Sequence, residues 1–289
     1  MTFFQAIVLG VVQGLTEFLP ISSSGHLILV PWLFEWDEPG LSFDAALHLG
    51  TLVAVFAYFW RDLLGMLLAI PDALRKPGAL LRADGDLTTE RDRSALLAWL
   101  LVIGSVPGGI VGLIAQDRID GFFHGDDHKT RSIALIAIVM MLFALLLWAA
   151  DHYAKHRRGI AELGVMDAVV VGLAQALALF PGVSRSGVTL TAGLFREIKR
   201  AHAARFSFLL GTPLVLLAGS KGLYDLVSDG AGGIGSAQLV AGVLASAISG
   251  FAAISILLRY LQRSSTLVFV VYRLILGVGI LLTLATGIR

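Results

Sequence analysis

The sequence contains no cysteine and few charged residues, and both absences restrict what the chain can be. Without cysteine there is no disulfide, no thiolate metal site and no thiol nucleophile. Charged residues make up only 15% of the chain, against about 25% in ordinary soluble domains. The 22 basic and 21 acidic residues nearly cancel, which argues against nucleic acid or another polyanion as a partner.

The composition is dominated instead by apolar residues, at 56% of the chain with a mean hydropathy of +0.81. These values predict an all-α polytopic integral membrane protein. The N-terminal segment lacks the basic start of a cleavable signal peptide, so we expect it to be retained. Six segments approach the roughly 20 residues that a bilayer requires. They are residues 45–60, 95–115, 132–150, 206–223, 238–258 and 267–286.

Two other segments have apolar flanks and polar centres, and each is predicted to form a re-entrant helix hairpin. The first, residues 3–34, is interrupted by Pro20 and by a serine-glycine run over residues 22–25. The second, residues 165–195, is interrupted by Pro181 and the glycine after it. Irregular backbone at membrane depth is tolerated only where protein buries it or where it lines a wet cavity. We therefore expect both breaks to lie inside the protein.

The two hairpins belong to a weak internal repeat. Short blocks recur at a shift of 161 or 162 residues, among them Gln13 with Gln175 and Ser23 with Ser184. Each half, residues 1–150 and residues 164–289, would contain one hairpin and three transmembrane helices. Because three is odd, the second half enters the membrane from the opposite side. The sequence thus predicts a single membrane domain built as an inverted-topology repeat, with its broken helices meeting near the midplane.

The distribution of positive charge gives the orientation of this arrangement. Residues 61–94 are predicted to form a long polar connection between two spans. If that connection is cytoplasmic, most of the 22 basic residues lie on the cytoplasmic side. Both chain termini and the first hairpin then face outward, and the second hairpin enters from the cytoplasm.

The first hairpin carries Gln13 and Glu17, which share one helix face at positions i and i+4. An ionised glutamate at the bilayer centre costs roughly 2.5–3.5 kcal/mol, so Glu17 is a candidate functional residue. The alternative is that Glu17 is merely exposed at a helix end. His26 follows a run of three serines, which suits a catalytic histidine, although a structural role is also compatible with its position.

The second hairpin carries Arg185, whose guanidinium stays charged in proteins and therefore needs an anion at membrane depth. One partner would be Glu17, in a structural salt bridge. The other would be a phosphate, because hydroxyl and backbone donors surround the arginine near a predicted helix N-terminus. These neighbours are Ser184, Ser186, Gly187 and Thr189.

Two motifs make the chain similar to a known family. Residues 13–26 have the pattern Q-x-x-x-E-F-L-P-x-S-S-S-G-H, and residues 181–189 have the sequence P-G-V-S-R-S-G-V-T. They resemble the undecaprenyl-pyrophosphate phosphatases of the bacitracin-resistance family, and the similarity continues through residues 48–51 and 272–273. The family uses Glu or Gln at the first position, so Gln13 leaves one carboxylate fewer. Ser24 replaces a common threonine.

The resemblance implies an integral membrane hydrolase that converts undecaprenyl diphosphate to the monophosphate. That reaction recycles the lipid carrier for peptidoglycan and other cell-wall glycans and confers bacitracin resistance. It further implies a divalent cation, Mg²⁺ or Ca²⁺. Glu17, supported by Gln13, is predicted either to orient that ion or to act as general base. The expected location is the bacterial inner membrane, with the site open to the outer side, and a homodimer is compatible with it.

Carried over by motif position, Glu17, His26, Ser23 and Arg185 are the candidate catalytic residues. The nucleophile is left open among His26, Ser23 and water. Arg273 is a candidate substrate ligand or a structural partner of Asp44. The candidate substrate-binding residues are Gln13, Ser22, Ser24, Gly25, Ser184, Ser186, Gly187, Thr189 and Arg273.

Two other classes of function compete with the phosphatase. Broken helices in an inverted repeat are also typical of secondary transporters, so a transporter or lipid flippase without hydrolase activity is the main alternative. A receptor that only binds its ligand is a weaker one. A transporter has no need of a serine, histidine, glutamate and arginine around a phosphate, which favours the enzyme. Lipid flipping in addition to hydrolysis stays open.

Overall fold

The structure is a computed structural model that describes residues 1–37, 40–81, 87, 89–123, 129–228 and 235–287. Within these ranges the chain forms twelve α-helices and no β-strand, so the all-α prediction is confirmed. The helices are α1 (Phe3–Phe18), α2 (Ser23–Phe34), α3 (Leu41–Tyr58), α4 (Trp60–Arg75), α5 (Pro77–Leu81), α6 (Glu90–Phe123), α7 (Lys129–Tyr153), α8 (Val165–Ala176), α9 (Arg185–Phe195), α10 (Arg200–Ser228), α11 (Ser236–Tyr260) and α12 (Leu267–Ala285).

Five of these helices, α6, α7, α10, α11 and α12, are long and apolar enough to cross a bilayer. The pair α3 and α4 would make a sixth span, but it is bent by 79° at Phe59. Exposed leucines, isoleucines and valines cover the outer faces of the long helices, as expected for surfaces that contact lipid. The prediction of a multi-pass helical membrane protein is therefore confirmed.

The prediction of a polar connection over residues 61–94 is wrong, because α4, α5 and the start of α6 occupy most of it. The charged residues there had obscured a helical spacing of apolar side chains, of which Leu64 and Leu68 are exposed. Helix α4 packs against α6, where the Trp99 indole donates a hydrogen bond to the Ala73 carbonyl at 2.9 Å. Helix α4 is thus an amphipathic helix.

The two short helix pairs, α1 with α2 and α8 with α9, turn through the same local geometry. Ser22 precedes α2 and Ser184 precedes α9, and both have positive φ, at 79° and 73°. Each serine hydroxyl accepts a hydrogen bond from a backbone N–H three residues later, at Gly25 or Gly187. Positive φ is uncommon for serine, so the two breaks share a costly conformation that the surrounding protein must stabilise.

Each of these short pairs packs against a long helix that is distant in sequence. Helix α1 crosses α11, and a Cβ atom added to Gly14 would lie 2.4 Å from the Ser246 carbonyl oxygen. Helix α8 crosses α6, and a Cβ atom on Gly172 would lie 2.3 Å from the Gly104 carbonyl oxygen. Small residues at such crossings allow the backbones to touch. The crossings hold the two breaks inside the helical assembly.

Candidate active site

The breaks between the short helices meet and are tied together by hydrogen bonds. The Gly182 N–H donates to the Ser22 hydroxyl at 3.1 Å. Arg273 of α12 is fully buried and donates to the carbonyls of Gly182 and Val183 at 2.8 and 3.1 Å, and to that of Pro20 at 3.4 Å. Arg273, a candidate substrate ligand, is therefore bonded to backbone of both breaks, where its observed contacts hold them in place.

Glu17 lies at the centre of a polar cluster contributed by both hairpins. Its Oε2 accepts hydrogen bonds from Gln13 Nε2 at 3.0 Å and from Ser23 Oγ at 2.6 Å. Its Oε1 accepts from Arg185 Nη2 at 2.5 Å. His48 Nε2 of α3 lies 3.6 Å from Oε2. Glu17 is only 5% exposed, so the structure excludes the alternative that it is a solvated residue at a helix end.

Arg185 forms a salt bridge with Glu17, which was one of the two partners predicted for it. A second nitrogen, Nη1, donates to the Gly211 carbonyl of α10 at 3.0 Å. A Cβ atom on Gly211 would lie 2.7 Å from the guanidinium, so glycine is required for this close approach. The Arg185 side chain is still 20% exposed, so the salt bridge does not bury it completely. The salt bridge and phosphate binding are therefore compatible.

The hydroxyls around Arg185 occupy the first turn of α9, as its N-terminal position predicts. Ser184 Oγ lies 3.3 Å from Ser186 Oγ, which donates to the Leu19 carbonyl at 3.0 Å. Thr189 Oγ1 lies 2.5 Å from Ser207 Oγ of α10. Ser186 and Thr189 thus connect α9 to the first hairpin and to α10. The same helix N-terminus presents backbone N–H groups, which favour an anion.

The first turn of α2 holds the remaining candidates of the first hairpin. Ser24 is partly exposed there, whereas Gly25 is buried and donates its N–H to the Ser22 hydroxyl. The Ser23 hydroxyl is bonded to Glu17, and within the described residues it makes no hydrogen bond to His26. The geometry therefore pairs Ser23 with a carboxylate.

His26 is 6% exposed and contacted at both ring nitrogens. Nδ1 lies 2.6 Å from the Ser22 carbonyl oxygen, and Nε2 lies 2.7 Å from the Tyr272 hydroxyl of α12. No role was predicted for Tyr272 or for His48. The signals in the sequence were a tyrosine beside an intramembrane arginine and a histidine in an apolar segment, and both are weak without the fold.

The site offers few ligands for a metal ion. Among the described residues, no three histidine, cysteine or acidic side chains group together in a way that could hold one. Gln13 Oε1, however, is buried next to the Glu17 carboxylate, and no described residue forms a hydrogen bond with it. Amide and carboxylate oxygens suit Mg²⁺ or Ca²⁺, and Mg²⁺ is often held by one or two carboxylates together with substrate phosphates. The residues therefore fit a cation that binds jointly with a phosphorylated substrate.

Comparisons with known proteins cover the whole of this site. Residues 6–279 match the sequence model of a family described as bacitracin resistance protein BacA. A protein named undecaprenyl-diphosphatase from Thermomicrobium roseum is 48% identical over 285 residues, which is 99% of each chain. Proteins of the same name from Moorella thermoacetica and Synechococcus elongatus are each 45% identical, over 96% and 98% of this chain and 96% and 94% of their own. The matched region includes both hairpins and Arg273.

Proposed function

This chain belongs to the family of the bacitracin resistance protein BacA, and from that premise we propose that it hydrolyses undecaprenyl diphosphate to undecaprenyl phosphate and inorganic phosphate. The observation that carries the proposal is the contact of Glu17 with both Ser23 and Arg185, which joins the two hairpins in one buried site. A polar site within an apolar protein suits a substrate that has a diphosphate head and a polyprenyl tail. The reaction would recycle the carrier of peptidoglycan and other cell-wall glycans.

Ser23 is the nucleophile that the geometry supports best among Ser23, His26 and water. Its hydroxyl already donates to Glu17 Oε2 at 2.6 Å, so Glu17 is placed to accept the proton as Ser23 Oγ attacks the terminal phosphorus. The new Oγ–P bond replaces the bridging P–O bond, and undecaprenyl phosphate leaves. Water then cleaves the phosphoserine and releases inorganic phosphate.

Arg185 and the N-terminus of α9 would bind the diphosphate and stabilise the charge that develops during transfer. The side chain is partly exposed, and its guanidinium would contact phosphate oxygens while Gly211 and Glu17 hold it in place. The hydroxyls of Ser184 and Ser24 lie at the first turns of α9 and α2, where backbone N–H groups also favour an anion.

We propose Gln13 Oε1 and Glu17 as the protein ligands of a divalent cation, Mg²⁺ or Ca²⁺, that binds together with the diphosphate. Bound there, the cation would neutralise phosphate charge. Glu17 is the one carboxylate that the described residues bring to this site, so oxygen atoms of the substrate would complete the coordination of the cation. Chelation with EDTA should then remove activity without unfolding the protein.

We also propose the inverted repeat of residues 1–150 and 164–289, with six spans and two re-entrant hairpins, in the bacterial inner membrane with its site open to the outer side. The matching positive-φ serines, Ser22 and Ser184, support equivalent hairpins. The reciprocal crossings of α1 with α11 and of α8 with α6 support two interlocked halves. Cysteine labelling of Ser24→Cys in intact cells would test the outward opening, since the natural chain has no cysteine.

The test of the phosphatase is phosphate release from farnesyl or undecaprenyl diphosphate by detergent-purified protein, with Mg²⁺ and with EDTA. Glu17→Ala and Arg185→Ala should both abolish release. Asp62→Asn is the matched control, because the Asp62–Arg205 ion pair joins α4 to α10 away from Glu17. Folded wild-type protein that releases no phosphate with any divalent metal would refute the proposal.

Trapping the phosphoenzyme identifies the nucleophile. We expect an acid-stable phosphoserine after rapid quenching with labelled substrate, absent in Ser23→Ala and present in His26→Ala. An acid-labile, base-stable label that disappears in His26→Ala would instead assign the histidine. The absence of any covalent label in a single turnover would assign water.

One observation favours lipid movement as an additional function. Both side-chain polar atoms of Gln175 are buried and find no hydrogen-bond partner in the part of the chain that the structure describes, and Gln175 is the repeat equivalent of Gln13. A buried amide of this kind points to a polar partner in another conformation of the protein. Liposomes containing Arg185→Ala should then still move prenyl monophosphate between leaflets, and no movement by active wild-type protein would exclude this function.

A further inference from the structure

Tyr272 of α12 contacts His26 of α2 in a way that the proposed reaction does not yet use. Its hydroxyl lies 2.7 Å from His26 Nε2. The two rings are nearly parallel, with an interplanar angle of 12° and centroids 5.7 Å apart. His26 is buried, whereas Tyr272 is 41% exposed. The Tyr272 side chain therefore restricts the orientation of the His26 imidazole and occupies its Nε2 atom.

The hydrogen bond on the other side of the ring determines where the proton resides. A backbone carbonyl only accepts hydrogen bonds, so the 2.6 Å contact between Nδ1 and the Ser22 oxygen requires a proton on Nδ1. In the neutral imidazole Nε2 then carries the lone pair, and the Tyr272 hydroxyl must be the donor. His26 thus has one defined tautomer, held from both sides.

The same contacts connect this tautomer to the geometry of the hairpins. Ser22, which accepts from His26 Nδ1, also accepts from the Gly182 N–H through its hydroxyl. Arg273, the residue after Tyr272, donates to the Gly182 carbonyl. Tyr272 and Arg273, which are consecutive in α12, therefore fix the position of the imidazole relative to the hairpin breaks.

We propose that Tyr272 is a positioning residue that acts through His26. Its hydroxyl donates to the Nε2 lone pair and keeps the imidazole neutral and oriented, so that Nδ1–H holds the Ser22 carbonyl. Ser22 directly precedes the proposed nucleophile, so this contact fixes the break from which Ser23 attacks the phosphorus. The proposal rests on the phosphatase function above.

Tyr272→Phe tests this role because it removes the hydroxyl and keeps the ring. We expect kcat for farnesyl diphosphate to fall by up to about tenfold, the upper end of the net contribution of one hydrogen bond, with KM changed less than about twofold. Tyr260→Phe is the matched control, since the Tyr260 hydroxyl makes no hydrogen bond within the described chain and the residue lies at the end of α11. Its kcat should be unchanged.

A double-mutant comparison separates positioning from general structural support. If Tyr272 acts through His26, then Tyr272→Phe should have no further effect on kcat in a His26→Ala protein. A full additional tenfold loss in that background would overturn the proposal, because it would show that the hydroxyl acts independently of the imidazole.

Imidazole ¹⁵N NMR tests the contact without any need for activity. Labelled wild type should show His26 as the Nδ1–H tautomer, assigned by its loss in His26→Ala, and Tyr272→Phe should shift the Nε2 resonance. An Nε2–H tautomer in wild type, or an unchanged spectrum in the variant, would overturn the proposal. Failure of the phosphatase assay alone would refute the proposed function and leave this spectroscopic result to decide the contact.

Discussion

Replacing Glu17 with glutamine removes one charge from the site and little of its shape. The ion pair with Arg185 is buried, with Glu17 at 5% and Arg185 at 20% exposure. Removing one partner of a buried pair typically costs about 3–5 kcal/mol, because the other charge stays buried and unpaired. Arg185 keeps its hydrogen bond to the Gly211 carbonyl, so we expect a loss of stability near the lower end of that range.

The same substitution should reduce the reaction rate by a different route. Ser23 would lose the carboxylate that accepts its proton, and loss of a general base typically lowers kcat by about 10²–10⁴-fold. The two effects can be separated with Glu17→Gln/Arg185→Met, in which both charges are absent. We expect this double variant to recover most of the stability, since replacing a whole buried pair is often nearly neutral, but none of the activity.

The assays are phosphate release with Mg²⁺ and thermal unfolding of the purified protein in one detergent. Asp62→Asn serves as the control, because its ion pair with Arg205 is more exposed and should contribute less than about 1 kcal/mol. A Glu17→Gln protein with more than about a tenth of wild-type kcat would refute the role of Glu17 as base. A double variant less stable than the single one would refute the argument from unpaired charge.

Three further predictions concern packing, burial and pH. Gly172→Ala should destabilise the protein by about 1–3 kcal/mol, because its Cβ would meet a backbone carbonyl of α6, whereas the open position of Gly164 should tolerate alanine in the same melting assay. Gln175→Met should raise the melting temperature, since an unpaired buried amide costs about 1–3 kcal/mol. A lower melting temperature in this variant would show that the amide binds a polar partner. Asp167 lies at the start of α8, outside the spanning helices. Burial raises the pKa of its carboxyl, but hydrogen bonds, the strongest of them from Arg158, outweigh the effect of burial and hold the pKa below its ordinary value of 3.8. The stability from this pair is present at neutral pH and lost as the pH falls through the lowered pKa, so melting temperatures of wild type and Asp167→Asn should converge in acid.

The parts of the structure that the sequence predicts well are those with local physical causes. The breaks were predicted from Pro20 and Pro181 because proline and serine-glycine runs disfavour a continued helix; α1 ends at Phe18, close to Pro20, whereas α8 already ends at Ala176, before Pro181. Glu17 and Arg185 were expected to need partners because charge at membrane depth is costly, and the structure supplies each with the other. The cost of burying charge thus predicted that both residues need partners, and Glu17 was one of the two partners predicted for Arg185.

The parts that it predicts poorly depend on tertiary packing. The contact of His26 with Tyr272 joins residues 246 positions apart, and nothing local in either segment signals it. Arg273 was predicted to be either a substrate ligand or a structural partner of Asp44. Its described hydrogen bonds go to backbone carbonyls, which a pattern of side chains does not reveal. Helix α4 was missed because its charged residues masked the spacing of Leu64 and Leu68.

The crossing of α1 with α11 has a consequence for how the protein is made. Gly10 and Gly14 fit against Gly242 and Ser246, which leave the ribosome only near the end of synthesis. Until then the first hairpin lacks its packing surface. Arg185, the partner of Glu17, is made before α11 but 168 positions after Glu17. The nascent chain must therefore hold an unpaired acid at or near the membrane until α9 is made. Arg273 of α12, which bonds to both hairpin breaks, is made later still, so the breaks are held in place only as translation finishes.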